Sequence, residues 1–183
     1  MKPVYGVMGS SRSDSEEALR KAQELGRSIA RLGAVIMTGA TTGYSLAAAK
    51  GAAEAGGLVL GVSPALDRAE HSRLGGPLEP FDVILYSGFG NKGRNVLNIR
   101  GCDVVLFVSG SMGTLNEFTI AYDEGKVMGV LTGTGGFSDH YAEIIARADR
   151  QTGARVLYDA DPARLVERTW ELACPAPDPN RRG

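Results

Sequence analysis

Short apolar runs alternate along the chain with longer segments in which apolar residues recur every three or four positions. The short runs are typical of buried strands, whereas the spacing of three and four is typical of a helix with one face on the core. The first helical segment follows Ser13–Glu16, which has the form of an N-terminal capping box, and it ends at Gly33. Its apolar face consists of Ala18, Ala22, Leu25, Ile29 and Leu32.

The complete pattern predicts strands in regular alternation with helices. Residues 63–80 contain three prolines and are expected to form a long loop. We expect one domain over residues 1–173 and a frayed C-terminal tail at 174–183. The predicted strands are 4–8, 34–37, 58–62, 83–86, 103–108, 127–131 and 155–158, and the later helices are 44–55, 94–100, 114–124, 140–148 and 162–173.

This alternation predicts an α/β fold, because right-handed crossovers place helices on both faces of a mostly parallel sheet. The apolar run Val104–Val108 has the composition of a parallel strand that is covered on both faces. In such sheets, ligands bind beyond the carboxyl ends of the strands. We therefore expect functional residues where the strands end.

Clusters of Gly, Ser and Thr follow nearly every predicted strand, and Gly makes up 25 of 183 residues, about twice the usual ~7%. Loops of small residues before a helix expose backbone amides at the positive end of the helix dipole, which favours anions. Such clusters at one sheet edge predict a nucleotide or sugar-phosphate ligand. The four candidates are Gly9–Arg12, Thr38–Gly43, Gly88–Gly93 and Ser109–Gly113.

Two common nucleotide motifs are not supported. Gly88–Gly93 matches G-x-G-x-x-G, but that fingerprint belongs to the first strand–helix unit and needs an acidic residue about 20 positions later. Here the corresponding region, Gly110–Thr114, contains no acid. A hydride-transferring dehydrogenase is therefore not favoured, and neither is an ATPase with a G-x-x-x-x-G-K-[ST] loop, which the sequence lacks.

Composition narrows the classes of partner further. The net charge of −1 provides no basic field for nucleic acid, and no apolar run approaches the length of a membrane span. Two cysteines and two histidines supply neither a disulfide framework nor a zinc site, so no metal is expected. No cofactor is expected to be required. With no signal-peptide pattern at the start, we expect a cytoplasmic protein. His71 is expected to be solvent-exposed in the long loop.

Two charged residues have both a structural and a functional interpretation. Arg94 lies on a polar helix face with three asparagines. Either this face is exposed to solvent, or Arg94 binds a phosphate. Thr114 and Glu117 are spaced as a capping box, in which Glu117 would reach back to a backbone amide. Alternatively, Glu117 is a carboxylate at the mouth of the ligand site.

The combination of these motifs resembles the LOG ("lonely guy") family. Ser109–Glu117 is similar to its P-G-G-x-G-T-x-x-E motif, Thr38–Gly43 to its Gly-rich partner loop, and Asn91–Arg94 to the segment with its active-site arginine. The resemblance implies a single Rossmann-like domain that forms a homodimer or a larger homo-oligomer. It also implies a phosphoribohydrolase that cleaves the N-glycosidic bond of a nucleoside 5′-monophosphate, with Arg94 and Glu117 as catalytic residues.

The same resemblance, together with the glycine clusters, indicates which residues hold a phosphate-bearing nucleotide or pterin. We expect the phosphate to contact the amides of Gly110–Thr114 and the Thr114 hydroxyl. The complete set of expected binding residues is Gly9, Ser10, Ser11, Gly39, Thr42, Gly43, Asn95, Gly110, Ser111, Met112, Gly113 and Thr114.

Three departures from the LOG pattern point to a second branch. Ser109–Ser111 replaces Pro-Gly-Gly, Asn95 replaces a lysine, and the Thr38–Gly43 loop has fewer glycines. Arg94-Asn95 followed by Asn98, with the Gly133–Gly136 loop, is more similar to the molybdenum-cofactor carrier proteins. That branch implies binding of a pterin phosphate without catalysis. A nucleotide-sensing protein is the third possibility.

Overall fold

The computed structural model describes residues 1–174, in which seven parallel strands form one sheet. The strand order is β4-β3-β2-β1-β5-β6-β7. The strands are β1 (Val4–Gly9), β2 (Val35–Thr38), β3 (Leu58–Ser63), β4 (Val83–Tyr86), β5 (Val104–Val108), β6 (Val127–Leu131) and β7 (Arg155–Asp159). The helices are α1 (Glu16–Arg31), α2 (Tyr44–Glu54), α3 (Arg68–Arg73), α4 (Gly90–Arg100), α5 (Met112–Asp123), α6 (Tyr141–Ala148) and α7 (Pro162–Ala173), with a 3₁₀ turn at Gly136–Asp139.

Hydrophobic cores lie on both faces of the sheet, as the apolar strands require. Residues of α1, α2 and α7 pack with alternate residues of β1 and β5 on one face. Residues of α4, α5 and α6 pack with the intervening residues of the same strands on the other face. All five residues of β5 are therefore buried. The predicted α/β class, with a Rossmann-like parallel sheet, is confirmed.

The strand order reverses at the centre of the sheet. The chain builds from β1 outward to β4, and then crosses back to place β5 on the other side of β1. The connections that follow β1 and β5 consequently leave the sheet in opposite directions, and a crevice opens between them. This crevice lies at the carboxyl edge, where the sequence predicts the ligand site.

Four local predictions need correction. The 63–80 segment contains α3, and its N-cap Asp67 accepts a hydrogen bond from the Glu70 amide at 2.8 Å. Helix α4 begins at Gly90, four residues before the predicted start, and α5 begins at Met112. Both starts are rich in glycine, whose low helix propensity favours a loop prediction. The N-cap of α1 is Ser15, which accepts from the Ala18 amide, so the Ser13–Glu16 box is not formed.

Two other predictions concern the C-terminal tail and membrane-spanning helices. The predicted tail at 174–183 lies outside the described residues, except for Cys174 at the end of α7. Within residues 1–174, no helix combines the length and the hydropathy needed to cross a bilayer.

Helices α1 and α2 approach so closely that their backbones touch. A methyl group on Gly26 of α1 would overlap the carbonyl oxygen of Ala48, and one on Gly51 of α2 would overlap that of Gln23. Both positions therefore require glycine. This contact holds α2, and with it the loop that follows β2, against the body of the domain.

Gly26→Ala should lower the free energy of unfolding by about 1–3 kcal/mol, because the added methyl cannot be accommodated without separating the helices. Chemical denaturation measures the change. Gly113→Ala in α5 is the matched control, since no atom lies within 4 Å of its added methyl. The control should be neutral or stabilising by up to about 1 kcal/mol. Equal effects of the two substitutions would contradict the packing argument.

Candidate functional site

A cavity of about 550 Å³ opens at the carboxyl edge beside β1. Its walls come from the loops after β1 and β2, the α3 segment, and the first turns of α4 and α5. The lining residues are Gly9, Ser11, Ala40, Thr41, Thr42, Pro64, His71, Leu74, Gly75, Gly76, Asn91, Lys92, Arg94, Asn95, Ser111, Gly113, Thr114 and Glu117. We call this space the main cavity.

Arg94 lies buried in the wall of the main cavity, with only 7% of its surface exposed. Its Nε and Nη1 atoms have no hydrogen-bond partner among residues 1–174. Burial lowers the pKa of the guanidinium, and the nearby Glu117 carboxylate offsets part of that decrease. The guanidinium packs on Gly39, where any side chain would overlap it. The sequence-based alternative of a solvated helix face is therefore wrong.

Glu117 is also buried, and two side-chain amides hold it. Asn98 donates to its Oε1 at 3.1 Å. With the Asn95 amide oriented so that its nitrogen faces the carboxylate, Asn95 donates to the same oxygen at 3.3 Å and to the Asn91 carbonyl at 2.8 Å. Burial raises the pKa of Glu117, whereas Arg94 and Asn98 act to lower it. The helical position of Glu117 thus places a fixed carboxylate beside the guanidinium.

The capping interpretation of Glu117 is wrong, because α5 begins two residues before Thr114. Ser111 is the N-cap, and the Thr114 hydroxyl accepts a hydrogen bond from the Ser111 amide at 3.4 Å. The reciprocal cap therefore links Ser111 with Thr114, and Glu117 lies one turn further along the helix. Its carboxylate is left for the cavity.

His71 is not exposed, contrary to expectation. Its side chain lies between Ser63 Oγ, which is 2.8 Å from Nδ1, and the Pro77 carbonyl oxygen, which is 3.0 Å from Nε2. A carbonyl only accepts hydrogen bonds, so Nε2 carries the proton in the neutral ring and Nδ1 accepts from the Ser63 hydroxyl. These bonds fix the α3 segment as a wall of the main cavity, beside Gly75 and Gly76.

Most of the predicted site residues come together at the main cavity. Gly39, Gly43 and Met112 do not line it. Gly39 lies behind Arg94, Gly43 packs against the Ser10 and Ser11 backbone, and the Met112 side chain points into solvent. The predicted residues that line the cavity are Gly9, Ser11, Thr42, Arg94, Asn95, Ser111, Gly113, Thr114 and Glu117.

The set of site residues predicted from the motifs does not include the whole wall. His71, Leu74 and the glycines after it belong to a segment that was predicted only as a loop. Lys92 also faces the cavity, and its position between Asn91 and Arg94 in the motif was a usable signal. Leu74 has no sequence signal, because its role depends on how α3 folds back over the sheet edge.

A second cavity, of about 510 Å³, lies on the other side of the crevice. The loops after β1, β5 and β6 line it, and Ser10 and Gly110 from the predicted set belong here. The other lining residues are Arg12, Asp14, Ser15, Ser109 and Gly133–Gly136. We call this space the second cavity. Within residues 1–174, no group of three or more His, Cys, Asp or Glu side chains is arranged to hold a metal ion.

Ser109 occupies the position of the proline in the LOG motif, and its backbone has a φ of +55°. Proline fixes φ near −65°, so a proline cannot adopt this loop conformation. The departure from the LOG motif at this position therefore changes the path of the backbone as well as the side chain.

The pKa of Glu117 should lie above the ordinary range for glutamate, and Arg94→Met should raise it further because a neighbouring positive charge is lost. A ¹³C-carboxyl NMR titration, with Glu117→Gln to assign the resonance, measures both values. Because the folded-state pKa is raised, Glu117 contributes stability at low pH that is lost as the pH rises through that pKa. A titration at or below the ordinary value would contradict the burial argument.

Comparison with known proteins supports the fold. A model described as the SLOG cluster4 family matches residues 2–166. The structure of the protein TM1055 superposes with a TM-score of 0.81 at 26% identity, over 94% of this chain and 99% of that one.

Two carrier-type structures are also similar. The molybdenum cofactor binding protein of Rippkaea orientalis has a TM-score of 0.79 at 27% identity, over 94% of this chain and 98% of that one. The molybdenum cofactor carrier protein of Chlamydomonas reinhardtii has a TM-score of 0.74 at 29% identity, with the same coverage of 94% and 98%. The motifs, the fold and the matched family model agree, and the chain belongs to the SLOG cluster4 family.

Proposed function

We propose that this protein binds a phosphate-bearing nucleotide or pterin in the main cavity. The observation that carries the proposal is Arg94, a buried cation with two nitrogens that lack partners among residues 1–174. A buried charge without full compensation is costly, and Glu117 compensates it only in part. A bound anion would supply the missing negative charge.

The surroundings of Arg94 suit a phosphate monoester. Lys92 adds a second positive charge to the cavity against the single carboxylate of Glu117. The N-terminus of α5, at Ser111–Thr114, faces the same space and attracts anions through its free amides and dipole. The volume of about 550 Å³ lies within the usual range of ligand pockets, about 300–1,000 Å³.

The rest of the cavity suits a planar ring. Ala40, Pro64 and Leu74 provide apolar surface in the cavity, and the imidazole of His71, held by its two hydrogen bonds, also lines it. The similar carrier structures bind the molybdenum cofactor according to their names. Carrier-like binding of a pterin phosphate is therefore our first candidate.

Arg94→Met should weaken binding of AMP or of neopterin monophosphate at least tenfold, because a charge-assisted contact with phosphate is worth about 1.5–3 kcal/mol. Isothermal titration calorimetry measures the change. Arg100→Met is the matched control, since Arg100 lies on the same helix but pairs with Glu124 at the surface, and it should bind like the wild type. If neither ligand binds the wild-type protein, the proposal fails.

Hydrolysis is the second candidate, and Glu117 is the observation that favours it. Cleavage of an N-glycosidic bond builds positive charge on the ribose, which a carboxylate beside C1′ stabilises. Water then adds to C1′, the base departs, and the proton from the water passes to the departing base. The two amides on Oε1 leave Oε2 to face the ribose or to orient the water. Arg94 would hold the 5′-phosphate.

Glu117→Gln should reduce the release of adenine from AMP by at least a hundredfold, because the amide keeps the shape but not the charge. Chromatographic detection of free base at high protein concentration measures the rate. Glu124→Gln, at the exposed end of α5, is the matched control and should be fully active. Binding of AMP without release of base in the wild type would leave the carrier function and exclude the hydrolase.

A further inference from the structure

Outside the main cavity, the second cavity lies at the same edge of the sheet and has no role in the proposed function. Its volume of about 510 Å³ nearly equals that of the main cavity. Consecutive residues line the two spaces: Ser10 faces the second cavity and Ser11 the main one, and Gly110 and Ser111 divide in the same way. In each loop, the residues that line the two cavities are therefore neighbours, with Cα atoms about 3.8 Å apart.

Ser109 lines the second cavity and has a side-chain hydroxyl that the fold does not use. Ser109 is only 7% exposed, and its Oγ makes no hydrogen bond with residues 1–174. The backbone groups of Ser109 are all occupied: its amide donates to Thr134 Oγ1 at 2.8 Å, and its carbonyl accepts from the Ser138 hydroxyl at 2.6 Å. Of the polar atoms of this lining residue, only Oγ is left for a ligand.

The φ of +55° makes serine an unfavourable choice at this position for folding alone. Glycine would adopt the same backbone without cost. The backbone conformation alone would favour glycine, so it does not account for the hydroxyl at this position. Arg12, in the loop after β1, adds a positive charge to the same cavity, where Asp14 supplies the one carboxylate of the lining.

We propose that the two cavities bind the two halves of one ligand, a dinucleotide whose pyrophosphate crosses the crevice at Ser10–Ser11 and Gly110–Ser111. The inference rests on the proposed function, because the first half occupies the main cavity as a mononucleotide would. The reversal of strand order between β1 and β5 is where folds of this kind accommodate dinucleotides. Ser109 Oγ and Arg12 hold the second half.

Binding of AMP, ADP and diadenosine pyrophosphate to the whole chain tests this inference. Calorimetry should give diadenosine pyrophosphate a Kd at least tenfold lower than that of AMP, and ADP should not reproduce this gain. Ser109→Gly keeps the backbone and removes the hydroxyl. This variant and Arg12→Met should each reduce the difference in binding free energy between diadenosine pyrophosphate and AMP by at least two-thirds. Both should leave the Kd for AMP within twofold of the wild type.

Arg20→Met, on the exposed side of α1, is the matched control and should leave every Kd unchanged. If AMP binds and the dinucleotide binds no more tightly, the inference fails and the proposed function stands. If the dinucleotide gain survives both variants, the second cavity does not hold the second half, and the inference also fails. If none of the three nucleotides binds, both proposals fail together.

Discussion

The site depends on one constraint, the reversal of strand order between β1 and β5. A parallel sheet built in one direction would keep neighbouring loops together at its carboxyl edge. Here the connection after β4 returns across the sheet, so the loops beside the central strands diverge and their amides face the same open space. The two cavities, the N-terminus of α5 and the buried guanidinium all lie along this crevice.

Two glycines shape the crevice because they allow close contacts with the backbone that a side chain would prevent. Gly39 gives the guanidinium of Arg94 room to lie against the loop after β2. Gly136 lies so close to the Gly110 backbone that a side chain would separate the loops after β5 and β6. The Arg94 guanidinium could be buried here only because position 39 lacks a side chain.

The fold was largely predictable, because the spacing of apolar residues along the chain indicates strands and helices without knowledge of the tertiary structure. The starts of α4 and α5 were not, because their glycine-rich first turns have low helix propensity and are held by packing and by the Ser111–Thr114 cap. The burial of His71 was also invisible, because its partners Ser63 and Pro77 reach it only after the segment has folded.

The candidate site was predictable in composition but not in geometry. The motifs identified Arg94 and Glu117 as a pair, although 22 residues separate them in the chain. That both are buried, and that Asn98 and Asn95 hold the carboxylate, depends on the packing of α4 against α5. The division of the glycine edge into two cavities follows from the side on which each loop residue points, and loop composition does not encode that.

The left-handed backbone of Ser109 also bears on how the two branches of this superfamily could have diverged. A direct exchange of serine for proline at this position would force φ from +55° into a region that the loop does not occupy. Glycine is compatible with both conformations, so an exchange that passes through glycine avoids this strain. An engineer who wishes to convert one branch into the other should first relax the loop at residue 109 and only then exchange the side chains.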